Sequence, residues 1–154
     1  MIIIDRHMNI RIARKDDAPK IAAQNLLLAD ETEHKKLDRK TVLAGVRSLL
    51  ADASKGFYLV AEENGTIIGQ LMITVEWSDW RNQPIWWVQS VFVQKEWRRK
   101  GVFTRLLQVI QQRARTQKVA FLRLYVHTKN LAARHVYENG GWINEPYKIY
   151  RHLV

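Results

Sequence analysis

Between Val91 and Thr104 the chain reads Val-Phe-Val-Gln-Lys-Glu-Trp-Arg-Arg-Lys-Gly-Val-Phe-Thr. The residue types pass from apolar to basic to amphipathic, which predicts a strand, a basic turn and a helix beginning at Val102. The first N–H groups of a helix lack intrahelical partners, and the helix dipole adds partial positive charge at that end. Phosphates bind such an end readily. Gly101 lets the backbone approach an anion without a Cβ in the way. Arg98, Arg99 and Lys100 add formal charge, while Val102, Phe103 and Thr104 would offer their N–H groups. The chemistry so specified is the holding of a phosphorylated ligand. An ordinary exposed turn has the same composition, so the segment alone does not decide.

A second cluster could recognise an amine. Four of the six tryptophans, Trp77, Trp80, Trp86 and Trp87, fall within 11 residues, and Glu76 and Asp79 stand among them. Aromatic faces beside carboxylates suit a cation. Glu76, near the end of a long predicted strand, is the first choice for a general base or a water-orienting residue. In a regular strand Trp77 points to the opposite face, so only one of the two can line a site. Core packing, or a homodimer contact, draws on the same aromatics. The five histidines, at 7, 34, 127, 135 and 152, form no H-x-x-x-H pair, so no metal site is expected. His127 reads as a surface histidine.

The elements that must position these residues follow from periodicity. Residues 9–14 alternate as a strand, and Asp16 or Asp17 with Pro19 opens a helix to about Ala29. A second helix is expected from Arg39 to Ala53. Residues 57–61, 66–76 and 85–93 then read as a strand meander, with Asn64-Gly65 as its first hairpin turn. A helix over 102–116, a strand over 119–126 and a short helix over 130–139 come next, closed by Gly140-Gly141. Trp142 and residues 147–153 supply one or two last strands. The order is β-α-α-β-β-β-α-β-α-β, an α/β mixed sheet with a parallel pair near its centre.

Composition narrows the classes. The 154 residues suggest one domain spanning 1–154. No apolar run approaches the length that spans a bilayer, so no membrane partner is expected. The absence of cysteine excludes disulfides, cysteine nucleophiles and thiolate metal sites, and fits a cytoplasmic protein. Residues 1–93 hold 12 Lys/Arg and 12 Asp/Glu, while residues 94–154 hold 13 and 3, so the whole net charge of +10 lies in the last 61 residues. That asymmetry points to an anionic partner of the C-terminal half, or to a solvated basic face.

The 91–104 segment, together with a second motif, resembles the GNAT N-acetyltransferase superfamily. Its acetyl-CoA signature is Arg or Gln, two residues, Gly, one residue, then Gly or Ala. Arg98-x-x-Gly101 fits, and Phe103 departs from the small sixth residue. The family's later motif is a strand, an Asn, then a helix carrying a Tyr before a Gly-aromatic turn. Leu124-Tyr125-Val126, Asn130, Tyr137 and Gly140-Gly141-Trp142 match that pattern. Asn130 and Tyr137 are seven apart, two helical turns, and so share one face.

The resemblance implies a GNAT-like fold in which acetyl-CoA enters where two parallel strands splay, here 85–93 and 119–126. Backbone groups near Val91, Phe92 and Val93 would hold the pantetheine and polarise the thioester carbonyl. The Arg98–Thr104 turn would take the pyrophosphate, and Asn130 would contact the pantetheine arm. Tyr137 would protonate the leaving thiolate. Glu31 and Glu33 would sit on the acceptor wall, with Trp77 and Asp79 as further acceptor-binding candidates. The implied activity is acetyl transfer to a small-molecule or peptide amine by direct attack, without metal. Two other functions compete with it. A nucleic-acid-binding module would use the basic half, although no zinc-finger, RNA-recognition or helix-turn-helix signature supports it and no nucleic-acid partner is expected. A non-catalytic acyl-CoA sensor would use the same fold.

Overall fold

The computed structural model describes residues 8–154. Its order is β1 (Asn9–Ile12), α1 (Ala18–Glu33), α2 (Arg39–Ala51), β2 (Phe57–Glu63), β3 (Thr66–Ser78), β4 (Gln83–Val93), α3 (Val102–Thr116), β5 (Leu122–Arg123) and α4 (Leu131–Asn139). The five strands form one sheet in sequence order, antiparallel throughout except for the β4–β5 pair, which is parallel.

Alternation along the strands divides the core in two. On one face Leu59, Ala61, Ile73, Trp86 and Val88 pack against Val102, Leu106, Ile110 and Ala114 of α3. On the other, Tyr58, Val60 and Ile67 pack against Ala18, Ile21, Val46 and Leu49 of α1 and α2. A Cβ added at Gly69 would stand 2.8 Å from Val102 Cγ1, so this glycine lets the first turn of α3 lie close on the sheet.

Arg11 ties β1 to two other segments. Its guanidinium donates to both carboxylate oxygens of Asp17, at 2.7 and 3.0 Å, just before α1, and to Glu62 Oε2 of β2 at 2.6 Å. The Arg11 hydrogen bonds hold the Asp17 carboxyl below the usual carboxylate range.

Three expectations are corrected. Helix α1 runs on to Glu33, four residues past Ala29, because Asp30-Glu31-Thr32-Glu33 remain in helical backbone and His34 ends it in the left-handed region at φ 53°. Of residues 119–126, only Leu122 and Arg123 are in the ladder, since β4 turns away beyond Trp87. Residues 147–153 form no strand, because nothing within the described chain pairs with them.

Candidate active site

The site begins with a fault in β4. Gln70 pairs with Phe92 and Met72 with Gln89, so the single residue Leu71 faces two, Ser90 and Val91. Such a bulge bends its strand and re-aims the residues beyond it. Ser90 accordingly sits at φ 50°. Side chains brace the bend, with Gln70 and Tyr58 buried and Asn25 partly so: Gln70 Nε2 donates to Asn25 Oδ1 at 2.8 Å, and Asn25 Nδ2 donates to the Tyr58 hydroxyl at 3.0 Å. Burial raises the Tyr58 phenol above its ordinary pKa, against hydrogen bonds to Asn25 and Ser90 that lower it.

Because β4 bends, its parallel contact with β5 is limited to Trp86–Leu122 and Trp87–Arg123. Beyond them the strands part around a cleft of about 750 Å³. Val91, Phe92 and Val93 form one wall, Leu28, Glu31, Thr32 and Glu33 of α1 another, and His127, Lys129, Asn130 and Ala133 a third. The Gln94 N–H donates to Ile68 O, toward β3. Strand alternation therefore turns the N–H and C=O of Val93 to the cleft side. There Arg98 Nε donates to Val93 O at 2.9 Å.

The turn after β4 passes through left-handed backbone at Arg99 (φ 60°) and Gly101 (φ 81°). A Cβ at Gly101 would meet no heavy atom within 4 Å, so the glycine is required by its φ rather than by crowding within the chain. The Arg105 N–H donates to Gly101 O, and this first helical bond leaves the N–H groups of Val102, Phe103 and Thr104 ahead of it. Val102 is buried in the core, so only its backbone can serve a ligand. Lys100 Nζ lies over the Trp97 ring at 5.3 Å, and Arg99 is exposed.

Across the cleft Asn130 caps α4, its Oδ1 accepting from Ala133 N–H at 3.2 Å. Tyr137, one turn beyond Ala133, packs edge-on between Phe103 at 5.7 Å and Trp142 at 5.6 Å. The Phe103 ring thus joins α3 to α4. Burial pushes the Tyr137 phenol up to about 12, so it is a proton carrier at neutral pH.

The family model for "Acetyltransferase (GNAT) family" matches residues 21–142. The chain belongs to the GNAT acetyltransferase family. Among solved structures, a possible acetyltransferase from Clostridium difficile 630 is 41% identical with TM-score 0.91, covering 97% of this chain and 99% of that one. A predicted acetyltransferase with acetyl-CoA from Clostridium acetobutylicum has TM-score 0.77 at 19% identity, over 94% and 96% of the two chains. An aminoglycoside acetyltransferase from an uncultured soil metagenomic sample has TM-score 0.79 at 18% identity, over 98% and 99%. These last two show likeness of fold. No curated protein sequence matches the chain.

In this GNAT chain the expected residues divide between the cleft and a separate hollow, while Tyr137, packed on Phe103 and Trp142, is in the lining of neither. Val91–Val93, Arg98, Asn130, Glu31 and Glu33 line the cleft, and the Arg99–Thr104 turn carries its chain into α3. Arg98 is not a free phosphate ligand, since it donates to Glu31 Oε2 at 2.6 Å as well as to Val93 O. The Lys35 ammonium, and more weakly His127, holds the Glu33 carboxyl below its ordinary pKa.

Glu76, Trp77 and Asp79 lie elsewhere. They line a separate hollow of about 250 Å³ with Arg123, Glu145 and Tyr147. Glu76 pairs with Ile85 at the far end of β4, six residues from Val91, or roughly 20 Å along a strand. Its carboxylate accepts from Trp87 Nε1 at 2.6 Å and stands 3.6 Å from Arg123. Placing Glu76 as base is therefore corrected: the strand that carries it is long, but the cleft opens at the other end. Trp77 and Glu76 both border the hollow, so the expected exclusion of one by the other does not hold there.

His127, which the resemblance puts near the cleft although it reads as a surface histidine, lines the cleft and is exposed. It lies three residues before Asn130, and that spacing is the signal the sequence offers. The backbone N–H of Lys129 donates to its Nδ1 at 3.2 Å, so the neutral ring carries its proton on Nε2.

Proposed function

We propose that the protein transfers the acetyl group of acetyl-CoA to a primary amine by direct attack within a ternary complex. The observation that carries this reading is the parting of β4 from β5 directly before the N-terminus of α3. A long ligand with a pyrophosphate at one end and a thioester at the other fits a strand edge that runs into unpaired helical N–H groups. The turn from Arg99 to Thr104 takes the phosphates, with Arg99 and Lys100 supplying charge. Val91 and Val93 offer peptide groups to the pantetheine, and Asn130 borders the same arm. A peptide N–H near Val91–Val93 polarises the thioester carbonyl and holds the tetrahedral oxyanion.

The amine nitrogen attacks the thioester carbon, the C–S bond breaks, and the acetyl group stays on nitrogen. Tyr137 gives its phenolic proton to the departing thiolate. The proton shed by the amine leaves through water in the open cleft. No side chain is assigned as a dedicated base. The acceptor enters beside α1, where Glu31 and Glu33 favour a cationic small molecule or peptide. Their pairs with Arg98 and Lys35 are solvent-exposed and so exchangeable at small cost.

A panel of amines, including polyamines, aminoglycosides and peptide N-termini, is incubated with acetyl-CoA and free thiol is measured over time. Amine-dependent thiol release supports the reading. Saturable acetyl-CoA binding with no release for any amine replaces it with a sensor.

A further inference from the structure

The positive charge of the C-terminal half exceeds what the cleft uses. Between Glu96 and Glu138 lie 41 residues with ten Lys/Arg and no acid. Of these cations, Arg98, Arg123 and Arg134 pair with carboxylates. Arg99 and Lys100 belong to the turn before α3. Arg105, Arg115 and Lys118 are exposed and form no ion pair among the described residues.

They lie on the solvent side of α3. Leu106, Ile110 and Ala114 bury the other face of that helix. Arg105, Gln108, Gln112 and Arg115 are all exposed, and their spacing of three, four and three places them in one stripe. The stripe is about 15 Å long, and Lys118 extends it past the helix end. Phosphates at the N-terminus of α3 would lie at the opposite end from Arg115. The helix dipole favours Arg113 and Arg115 in the last turn, but it does not explain the missing acids. Gln111 and Gln112 stand four and three residues before Arg115, where a glutamate would form a stabilising pair. The helix forgoes such pairs and carries no negative side chain anywhere along its length.

The neighbours of these cations decide the partner. The stripe holds no exposed large apolar side chain, so nothing in it enters a bilayer. It holds no aromatic ring on which an unpaired base could stack. Arginine and glutamine do suit the phosphate and sugar oxygens of a nucleic-acid backbone. We infer that the outer face of α3 binds the phosphate backbone of a nucleic-acid duplex without reading its sequence. Backbone contacts need no base-reading motif, so the missing zinc-finger, RNA-recognition and helix-turn-helix signatures do not oppose this. Helix α3 covers one face of the sheet, and α1 and α2 cover the other. A duplex on α3 therefore leaves Glu31 and Glu33 open to an acceptor. The inference does not rest on the acetyl-transfer reading.

The test is fluorescence anisotropy of a short labelled DNA duplex, and of its RNA counterpart, titrated with the full chain. Three phosphate contacts predict that affinity falls roughly 40-fold between 50 and 200 mM salt. The triple variant Arg105→Gln, Arg115→Gln, Lys118→Gln should bind at least about tenfold more weakly, with the far-UV circular dichroism of the parent. A second triple variant, Lys15→Gln, Lys20→Gln, Lys40→Gln, removes the same charge from exposed sites at α1 and α2, taking the net from +10 to +7. It should bind like the wild-type chain. Saturating acetyl-CoA should leave the duplex affinity unchanged, and the tighter of the two duplexes names the source. Vesicles of phosphatidylcholine with phosphatidylserine supply a competing anionic surface and should bind more weakly than either duplex. No duplex binding at 50 mM salt, equal weakening by both triple variants, displacement of the duplex by acetyl-CoA, or tighter binding to the vesicles would overturn the inference.

Discussion

Tyr137 takes its acid–base character from its surroundings. Its ring is wedged between Phe103 and Trp142, and burial alone raises the phenol to about 12. It therefore holds its proton across the working pH range. Tyr137→Phe keeps the packing and deletes the acid, so kcat should fall about 10²-fold while acetyl-CoA affinity stays nearly unchanged. Steady-state kinetics beside equilibrium binding separates the two. The pH dependence of stability has a defined sign. The folded pKa lies above the ordinary value near 10, so this group's contribution is complete below about pH 10 and is lost as pH rises toward 12. Tyr137→Phe should flatten melting temperature against pH in that window. The Asn130–Tyr137 spacing was legible in the sequence. For Phe103, which departs from the small motif residue, the sequence allows a ring turned into the core, but the partner of that ring, Tyr137 of α4, was not legible.

Single residues also set where elements begin. Gly101 starts α3 at φ 81°. Gly101→Val puts a β-branched residue in the left-handed region, at a cost of about 1–3 kcal/mol, and tilts the N–H groups offered to phosphate. Acetyl-CoA affinity should drop at least about tenfold by calorimetry, with the variant still folded. Arg11 fastens β1 to β2 and to the start of α1. Arg11→Met leaves Asp17 and Glu62 facing each other half-buried and should cost about 2–3 kcal/mol in urea unfolding. Because the Asp17 pKa is depressed in the fold, its contribution is present above the usual carboxylate range and is lost as pH falls through the folded value. The wild-type advantage over Arg11→Met should thus shrink in acid. Helices α2, α3 and α4 and the three-strand meander were readable from local period and turn signals. The extent of β5 was not, since a ladder belongs to two strands and the bulge that ends it is in β4. Glu76 lies away from the cleft for the same reason: its strand is legible in the sequence, but the end of the sheet that opens is a tertiary fact.

At the scale of the molecule, charge and topology agree. The net charge of +10 comes entirely from residues 94–154, the half that supplies the helix N-terminus, Arg98 and one wall of the cleft. The other half contributes the acids Glu31 and Glu33 to the opposite wall of the cleft. An anionic cosubstrate and a cationic acceptor would then be drawn to different walls, and binding of the former should weaken with salt. The terminal segment was not legible in the sequence, because its strand pattern is real but no strand of the same chain pairs with it among the described residues.

The central claim is that acetyl-CoA binds at the strand edge leading into α3. The most direct measurement is the melting temperature of the wild-type chain with and without acetyl-CoA. A ligand at about 100 times its Kd stabilises by about 2.7 kcal/mol, which for a domain of this size raises the midpoint by about 5–10 °C. The account predicts that rise, and a smaller one for Gly101→Val at the same concentration. An unchanged midpoint at millimolar acetyl-CoA, or an equal shift in Gly101→Val, would contradict it.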